Sequence, residues 1–262
     1  MLSTIVCIKQ VPDTVDFDVD PSTGALVQGD VPFVMNPFDL HAVEEAVRIK
    51  ERLGWRVKAV TMGPPQAEAV LRDALALGAD EAFLLSDKDF EDSDTLATSY
   101  ALTCGIRKMG DFALVICGPQ STDGGTGQVG PELAQELAIP QITYVNRIVE
   151  LDDHRIRAER LVEDGVEVIE SSLPCLITVV KGINQPRLPT FKAKLNARKT
   201  VITKWGSKDL DGDESRFGLS GSPTRVLKLA KPVRPTLGEI LEGSADEVAE
   251  KLVKKLRDLR FI

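Results

Sequence analysis

Through the first 145 residues, short apolar runs alternate with segments of helical period, the pattern of β-α-β units feeding a parallel sheet. The runs at 4–9, 57–61, 82–85, 112–117 and 141–145 predict strands. Phe112-Ala113-Leu114-Val115-Ile116-Cys117 is apolar without alternation, so it belongs in the middle of the sheet, with helices over both faces. Asn36-Pro37-Phe38-Asp39 offers an N-cap, a proline at the first helical position and an acid in the first turn, ahead of a helix that stops at Gly54. In the next helix Ala67, Val70, Leu71, Ala74 and Leu75 share one face, and Gly78 is the stop. A third helix is expected over 93–109. The insert at 17–27 alternates around Pro21-Ser22-Thr23-Gly24 and reads as a hairpin.

After Val145 the period changes to two, over 155–161, 166–170 and 175–181, with Glu163-Asp164-Gly165 and Leu173-Pro174 between the runs. These are expected to extend the core as antiparallel strands. Residues 184–235 are rich in Pro, Gly, Ser and Lys and predict a long exposed excursion with one short helix. A last helix starts from a Ser244 cap, with Asp246 and Glu247 early and Lys254, Lys255, Arg257 and Arg260 late, matching the helix macrodipole. Its stripe of Val248, Leu252, Leu256 and Leu259 needs a cover, from a partner chain or from the chain's own core. The expected fold class is α/β: a parallel-sheet, Rossmann-like nucleotide-binding core over 1–183, extended by antiparallel strands. A partner-recognition excursion over 184–235 and a C-terminal arm over 236–262 would follow.

Composition narrows the function classes. With 43% hydrophobic and 27% charged residues the chain is globular, and a net charge of −8 argues against a nucleic-acid partner. The longest apolar stretches, such as 173–180, are about half the ~20 residues that span a bilayer, so no membrane span is expected. The first residues read directly as a core strand with no basic leader, which suggests a cytoplasmic protein. Cys7, Cys104, Cys117 and Cys175 sit singly in apolar runs, as reduced core residues do. Two histidines, His41 and His154, give little material for a metal site or a Ser-His-Asp triad.

The most chemical stretch is Cys117-Gly118-Pro119-Gln120-Ser121-Thr122-Asp123-Gly124-Gly125-Thr126-Gly127-Gln128-Val129-Gly130-Pro131, between the central strand and a helix. Its glycines admit close backbone approach to an anion, and the helix start adds unpaired N–H groups. Gly125, Gly127 and Gly130 satisfy G-x-G-x-x-G, with Glu150 20 residues beyond, the fingerprint of a dinucleotide dehydrogenase. That fingerprint needs its first glycine immediately after the strand, whereas residues 118–124 intervene here. The loops after the first two strands, 9–13 and 62–65, fall on the same sheet edge, so three loops outline a nucleotide cleft. An enzyme that splits an adenylate or ATP is another candidate, but residues 9–13 supply neither an acid cluster nor a pyrophosphate loop.

Three runs in the first half, Ile8-Lys9-Gln10-Val11-Pro12-Asp13, Met35-Asn36-Pro37-Phe38 leading into 43–48, and Ala76-Leu77-Gly78-Ala79-Asp80, together resemble the beta subunit of electron transfer flavoprotein. Residues 158–169 through 174–178 are similar to that family's signature, and Asn184-Gln185-Pro186-Arg187 to the start of its partner-recognition loop. The resemblance covers essentially the whole chain. It implies a heterodimer with an alpha subunit that carries the electron-shuttling FAD. Ordinary members hold AMP in the beta subunit as a structural ligand. Electron-bifurcating members hold a second FAD there and oxidise NADH. Asp123-Gly124-x-Thr126-x-Gln128-Val129-Gly130-Pro131 is similar to the bifurcating pattern and differs from it at Gly125, where that pattern has an acid.

By the same resemblance, Cys7, Lys9 and Asn36 would line the adenosine end, and Thr61, Met62 and Gly63 the base. Cys117, Asp123, Thr126, Gly127, Gln128 and Val129 would hold the phosphates, and Gly118, Gln120 and Gly124 would also belong to the cofactor site. The docking side chain falls at Phe191, flanked by Lys192 and Lys194, with Pro186 and Arg187 upstream. Implied partners are the alpha subunit, an acyl-CoA dehydrogenase or related flavoprotein, and ferredoxin or flavodoxin. Any NADH-oxidising activity would belong to the bifurcating complex, and in either case the protein's part is to place the cofactor and tune its potential.

Overall fold

The computed structural model describes residues 2–13, 18–19, 26–27, 32–227 and 238–262. In chain order the strands and helices are β1 (Ser3–Cys7), β2 (Gln10–Pro12), β3 (Asp18–Val19), β4 (Leu26–Val27), β5 (Phe33–Met35), α1 (Pro37–Leu53), β6 (Arg56–Met62), α2 (Glu68–Leu77), β7 (Glu81–Leu85), α3 (Thr95–Lys108), β8 (Leu114–Cys117), α4 (Val129–Leu137), β9 (Gln141–Leu151), β10 (Arg155–Val162), β11 (Gly165–Ser172), β12 (Cys175–Val179), α5 (Phe191–Lys199), β13 (Thr203–Trp205) and α6 (Ala245–Asp258). The described residues fall into two units: β3, β4 and the C-terminal segment form the smaller one, and the rest forms the larger.

The larger unit is built on a nine-stranded sheet in the order β11-β10-β9-β12-β8-β1-β6-β7-β13. Its pairs are parallel except β9 with β10 and β10 with β11. Side chains alternate between two cores. Val6, Val57, Ala59 and Ile116 pack with α1 and α2, while Ile5, Val60, Val115 and Cys117 pack with α3 and α4. The sheet is therefore the middle of three layers, and β8 lies at its centre, where its unalternating sequence put it.

Helix ends follow local chemistry. Pro37 opens α1, and Gly54 closes it in the left-handed region at φ +75. Asp94 accepts from Ala97 N at 3.1 Å to start α3. The insert is a hairpin at least in its described pairs, Asp18 with Val27 and Val19 with Leu26; the turn proposed at 21–24 lies outside the described residues.

Two expectations are corrected. Residues 175–181 were expected to run antiparallel, yet β12 is inserted between β8 and β9 and is parallel to both. All five of its residues are buried, so Cys175-Leu176-Ile177-Thr178-Val179 is a two-faced central strand and not a half-exposed one. The described part of the 184–235 segment is less exposed than expected: besides its helix α5, which packs on α2, it supplies β13, which pairs with β7 and forms the sheet edge. Ile202, Leu210 and Phe217 carry this stretch into the core.

Helix α6 of the smaller unit begins with a capping box in which Ser244 and Glu247 bond reciprocally. Among its described side chains none is buried; Leu252, Leu259, Phe261 and Ile262 are exposed at the end of the chain.

At Gly130, helix α4 meets β12 with no room for a side chain. A Cβ on Gly130 would stand 2.7 Å from Thr178 Cγ2, closer than two carbons pack. Gly130→Ala should therefore lower the unfolding free energy by about 1–3 kcal/mol, the range for overpacking, measured by urea denaturation. Gly182→Ala, at a site with no atom within 4 Å of the new methyl, should change it by no more than about 0.5 kcal/mol.

Candidate functional site

The chain leaves β1 through α1 to β6 and β7 on one side, then returns through α3 to β8 on the other. The carboxyl ends of β1 and β8 thus form the topological switch point, where the loops diverge and leave a crevice. In register there, Cys7 faces Cys117. Both are buried free thiols, and the adjacent Cys7 thiol together with complete burial holds the Cys117 thiol well above its ordinary value. Their buried side chains form the floor at this end of the sheet.

Walls rise from this floor through the start of α1. The ribbon β2–β5 carries the chain back from the insert, so that Asn36 N bonds to Lys9 O at 2.8 Å. Asn36 occupies the N-cap position but its side chain makes no cap bond. Instead Nδ2 donates to Gln120 O at 3.0 Å, and Oδ1 accepts from Thr122 N at 3.3 Å. Asp39, one turn on, accepts from Lys9 N at 2.7 Å with Oδ2 and from Gly118 N at 3.2 Å with Oδ1. Two helix side chains thereby fasten both crevice loops. Gly118 is obligatory in this arrangement, because a Cβ would strike the Asp39 carboxylate and come within 2.9 Å of Phe38 Cβ.

The charges divide into an inner acid and an outer pair. Burial dominates at Asp39 and pushes its carboxyl up to about 7, against the opposing pull of the Lys9 and Gly118 amides and the Asn36 side chain. Lys9 extends past it to reach Asp123 at 2.8 Å. At Asp123 burial also works upward, but the bonds from Lys9 and Ser121 outweigh it and hold the carboxyl below its ordinary value. The ion pair ties the loop after β1 to the glycine-rich loop after β8.

Within that loop Gly124 N donates to Asp123 Oδ1 at 2.7 Å, and Gly125 N to Ser121 O at 2.9 Å. Gly125 and Gly127 both adopt left-handed backbone, at φ +63 and +65. Gln128 O receives the first returning helix bond, from Glu132 N, so the amides of Val129 and Gly130 fall in the first turn of α4 and have no intrahelical acceptor. Thr126 and Gln128 are exposed on the same rim. A glycine-rich stretch, left-handed at 125 and 127, that runs into the first-turn amides of a helix suits a phosphate.

The other sites expected from sequence separate into two groups. Met62 and Gly63 end β6 beside the crevice, and Gln10 Nε2 links the first loop to the second through Gln66 O at 3.2 Å. Thr61 is fully buried there, and its hydroxyl has no partner among the described residues. The residues expected to dock a partner lie elsewhere, beside α1 and α2. Phe191 is 78% exposed at the start of α5, with Lys192 next to it in the same helix. Arg187 is fixed by Glu44 at 2.8 Å and by Glu51, while Asn184 bonds to Glu45 and to His41 O. Asp39 and Glu44 carry much of this architecture, and sequence reading took them only as helix residues.

Asp39 gives a signed pH test. Its folded value of about 7 lies above the unfolded value near 3.8, so the stability it contributes is full below pH 4 and is lost as pH rises through 7. The change should be on the order of 4 kcal/mol across that window. Denaturation of the wild type should show this decline, Asp39→Asn should flatten it, and the Asp39 carboxyl carbon should titrate near neutrality by NMR.

With this geometry in view, comparison with known proteins is informative. The family model described as "Electron transfer flavoprotein domain" matches residues 23–210. The chain is 44% identical to an electron transfer flavoprotein subunit beta of Thermoanaerobacterium thermosaccharolyticum, over all of both chains. It is 44% identical to the caffeyl-CoA reductase-Etf complex subunit CarD of Acetobacterium woodii, covering 98% of this chain and 99% of that one. Protein FixA of Bradyrhizobium diazoefficiens is 43% identical over 96% of this chain and 90% of its own. The switch-point crevice and the sequence lead to one conclusion: the chain belongs to the electron transfer flavoproteins, as a beta subunit.

Proposed function

We propose that this chain pairs with an electron transfer flavoprotein alpha subunit and holds an FAD of its own, from which electrons received from NADH pass to the alpha-subunit flavin. The observation that carries the nucleotide site is the fastening of the loop at 117–123 by Asn36 and Asp39, which presents the glycines of 124–127 and the α4 amides at the switch point. What supports FAD over AMP is the similarity of Asp123, Gly124, Thr126, Gln128, Val129, Gly130 and Pro131 to the bifurcating pattern. AMP alone is the alternative, since it presents the same phosphate to the same amides.

In this reading Lys9, Asn36 and the residues after β6 border the adenosine, and the backbone of 124–130 receives the phosphates. A bound flavin would supply hydride acceptance and single-electron transfer. The chain's own residues orient it and tune it through nearby hydrogen bonds and charge. The Lys9–Asp123 pair leaves the rim without a free ammonium at that point, so binding leans on neutral donors. Phe191 and Lys192, exposed on α5, are the surface offered to an acyl-CoA dehydrogenase or related flavoprotein.

Three measurements test these statements. The purified heterodimer should yield two flavins and no AMP on extraction, and anaerobic NADH should reduce both; one flavin with AMP, or flavin that NADH does not reduce, makes the chain an ordinary single-flavin carrier subunit. Gly127→Val places a branched side chain at φ +65 and blocks the backbone, so the folded heterodimer should lose most of its beta-site nucleotide. Phe191→Ala should slow electron exchange with the partner dehydrogenase by tenfold or more, as expected of an anchoring aromatic worth about 2 kcal/mol, and leave nucleotide content unchanged.

A further inference from the structure

Tyr144 lies in β9 with a left-handed backbone, φ +56, which a bulky side chain adopts only against steric strain. The strain has a local cause. The pairing of β12 with β9 slips between Ile177 and Val179, and Tyr144 N is taken up by Thr178 Oγ1 at 2.9 Å instead of by the ladder. A glycine would turn the chain there without strain, so the backbone alone does not account for a tyrosine. Nor does packing, because the residue is 44% exposed.

The ring does reach the glycine-rich loop. A Cβ on Gly127 would lie 3.7 Å from Tyr144 Oη and 3.6 Å from Pro119 O, so the bare side of Gly127 looks onto the hydroxyl. Thr178, which holds the Tyr144 amide, pairs in register with Cys117 at the carboxyl end of β8. Tyr144 therefore stands at the same edge of the sheet as the crevice, on the flank opposite Lys9 across β8. The cation of this rim is engaged by Asp123, and a phenol is a neutral donor that needs no counter-charge.

We propose that the Tyr144 hydroxyl donates a hydrogen bond to the phosphate of the nucleotide on the 124–130 loop, and that the strain at residue 144 is maintained for that contact. The proposal deepens the nucleotide reading and rests on it. No residue so far assigned to the site comes from β9.

Isothermal titration of AMP and of adenosine into the nucleotide-free heterodimer tests it, because the two ligands differ only in the phosphate. Tyr144→Phe should weaken AMP about tenfold, the usual effect of losing one bond to a charged group, and leave adenosine within about twofold. Tyr144→Gly should weaken AMP at least as much while raising the melting temperature of the nucleotide-free protein, since it relieves the strain. A Tyr144→Phe variant that binds AMP like the wild type, or that loses AMP and adenosine equally, overturns the proposal. A wild type that binds neither ligand overturns the nucleotide site itself, and this contact with it.

Discussion

Backbone amides at the ends of parallel strands must find acceptors, and here two of them find a single carboxylate. Asp39 takes the amide of Lys9 after β1 and the amide of Gly118 after β8, the two strands between which the winding of the sheet reverses. The rest of the site depends on this. It fixes Gly118 against Phe38, sets the direction in which Lys9 leaves the sheet, and puts Asn36 where its amide can hold Gln120 and Thr122. A buried carboxyl used this way is costly when ionised, which is why burial raises it to about 7.

Helix α1 serves a second region along its length. Glu44, buried in its middle, and Glu51 hold Arg187, while His41 and Glu45 hold Asn184. Burial alone would raise Glu44, but the Arg187 and Arg48 bonds more than offset it and keep the carboxyl ionised below its ordinary range. One rigid helix thus carries the crevice at its N-terminal end and the segment leading to Phe191 along its side. The carboxylates that do so are satisfied by hydrogen bonds, as buried charge requires.

Much of this was legible in the sequence where one residue has one local job. Gly54 and Gly78 stop helices, Pro37 starts one, and the unbroken apolar run before Cys117 marks the centre of the sheet. Reading failed where position in the sheet decides. The 175–179 run looks like the alternating strands before it until its neighbours are known, and three residues of β13 are too few for periodicity to register. The glycine-rich loop after β8 was legible as a loop, but its fastening was not. Asp39 reads as an ordinary first-turn acid, and the left-handed Tyr144 looks like any strand aromatic, because the partners of each are remote in sequence. The resemblance to electron transfer flavoproteins came from several short runs together, each weak alone.

The central claim is that fastening by the start of α1, and not glycine content alone, makes the loop after β8 a nucleotide site. The most direct measurement is the adenine nucleotide extracted per heterodimer from an Asn36→Ala variant whose folding is verified by circular dichroism. Loss of the Gln120 and Thr122 bonds should leave the beta site largely empty while the alpha-subunit flavin stays stoichiometric. Full retention of the beta-site nucleotide in that variant would contradict the account.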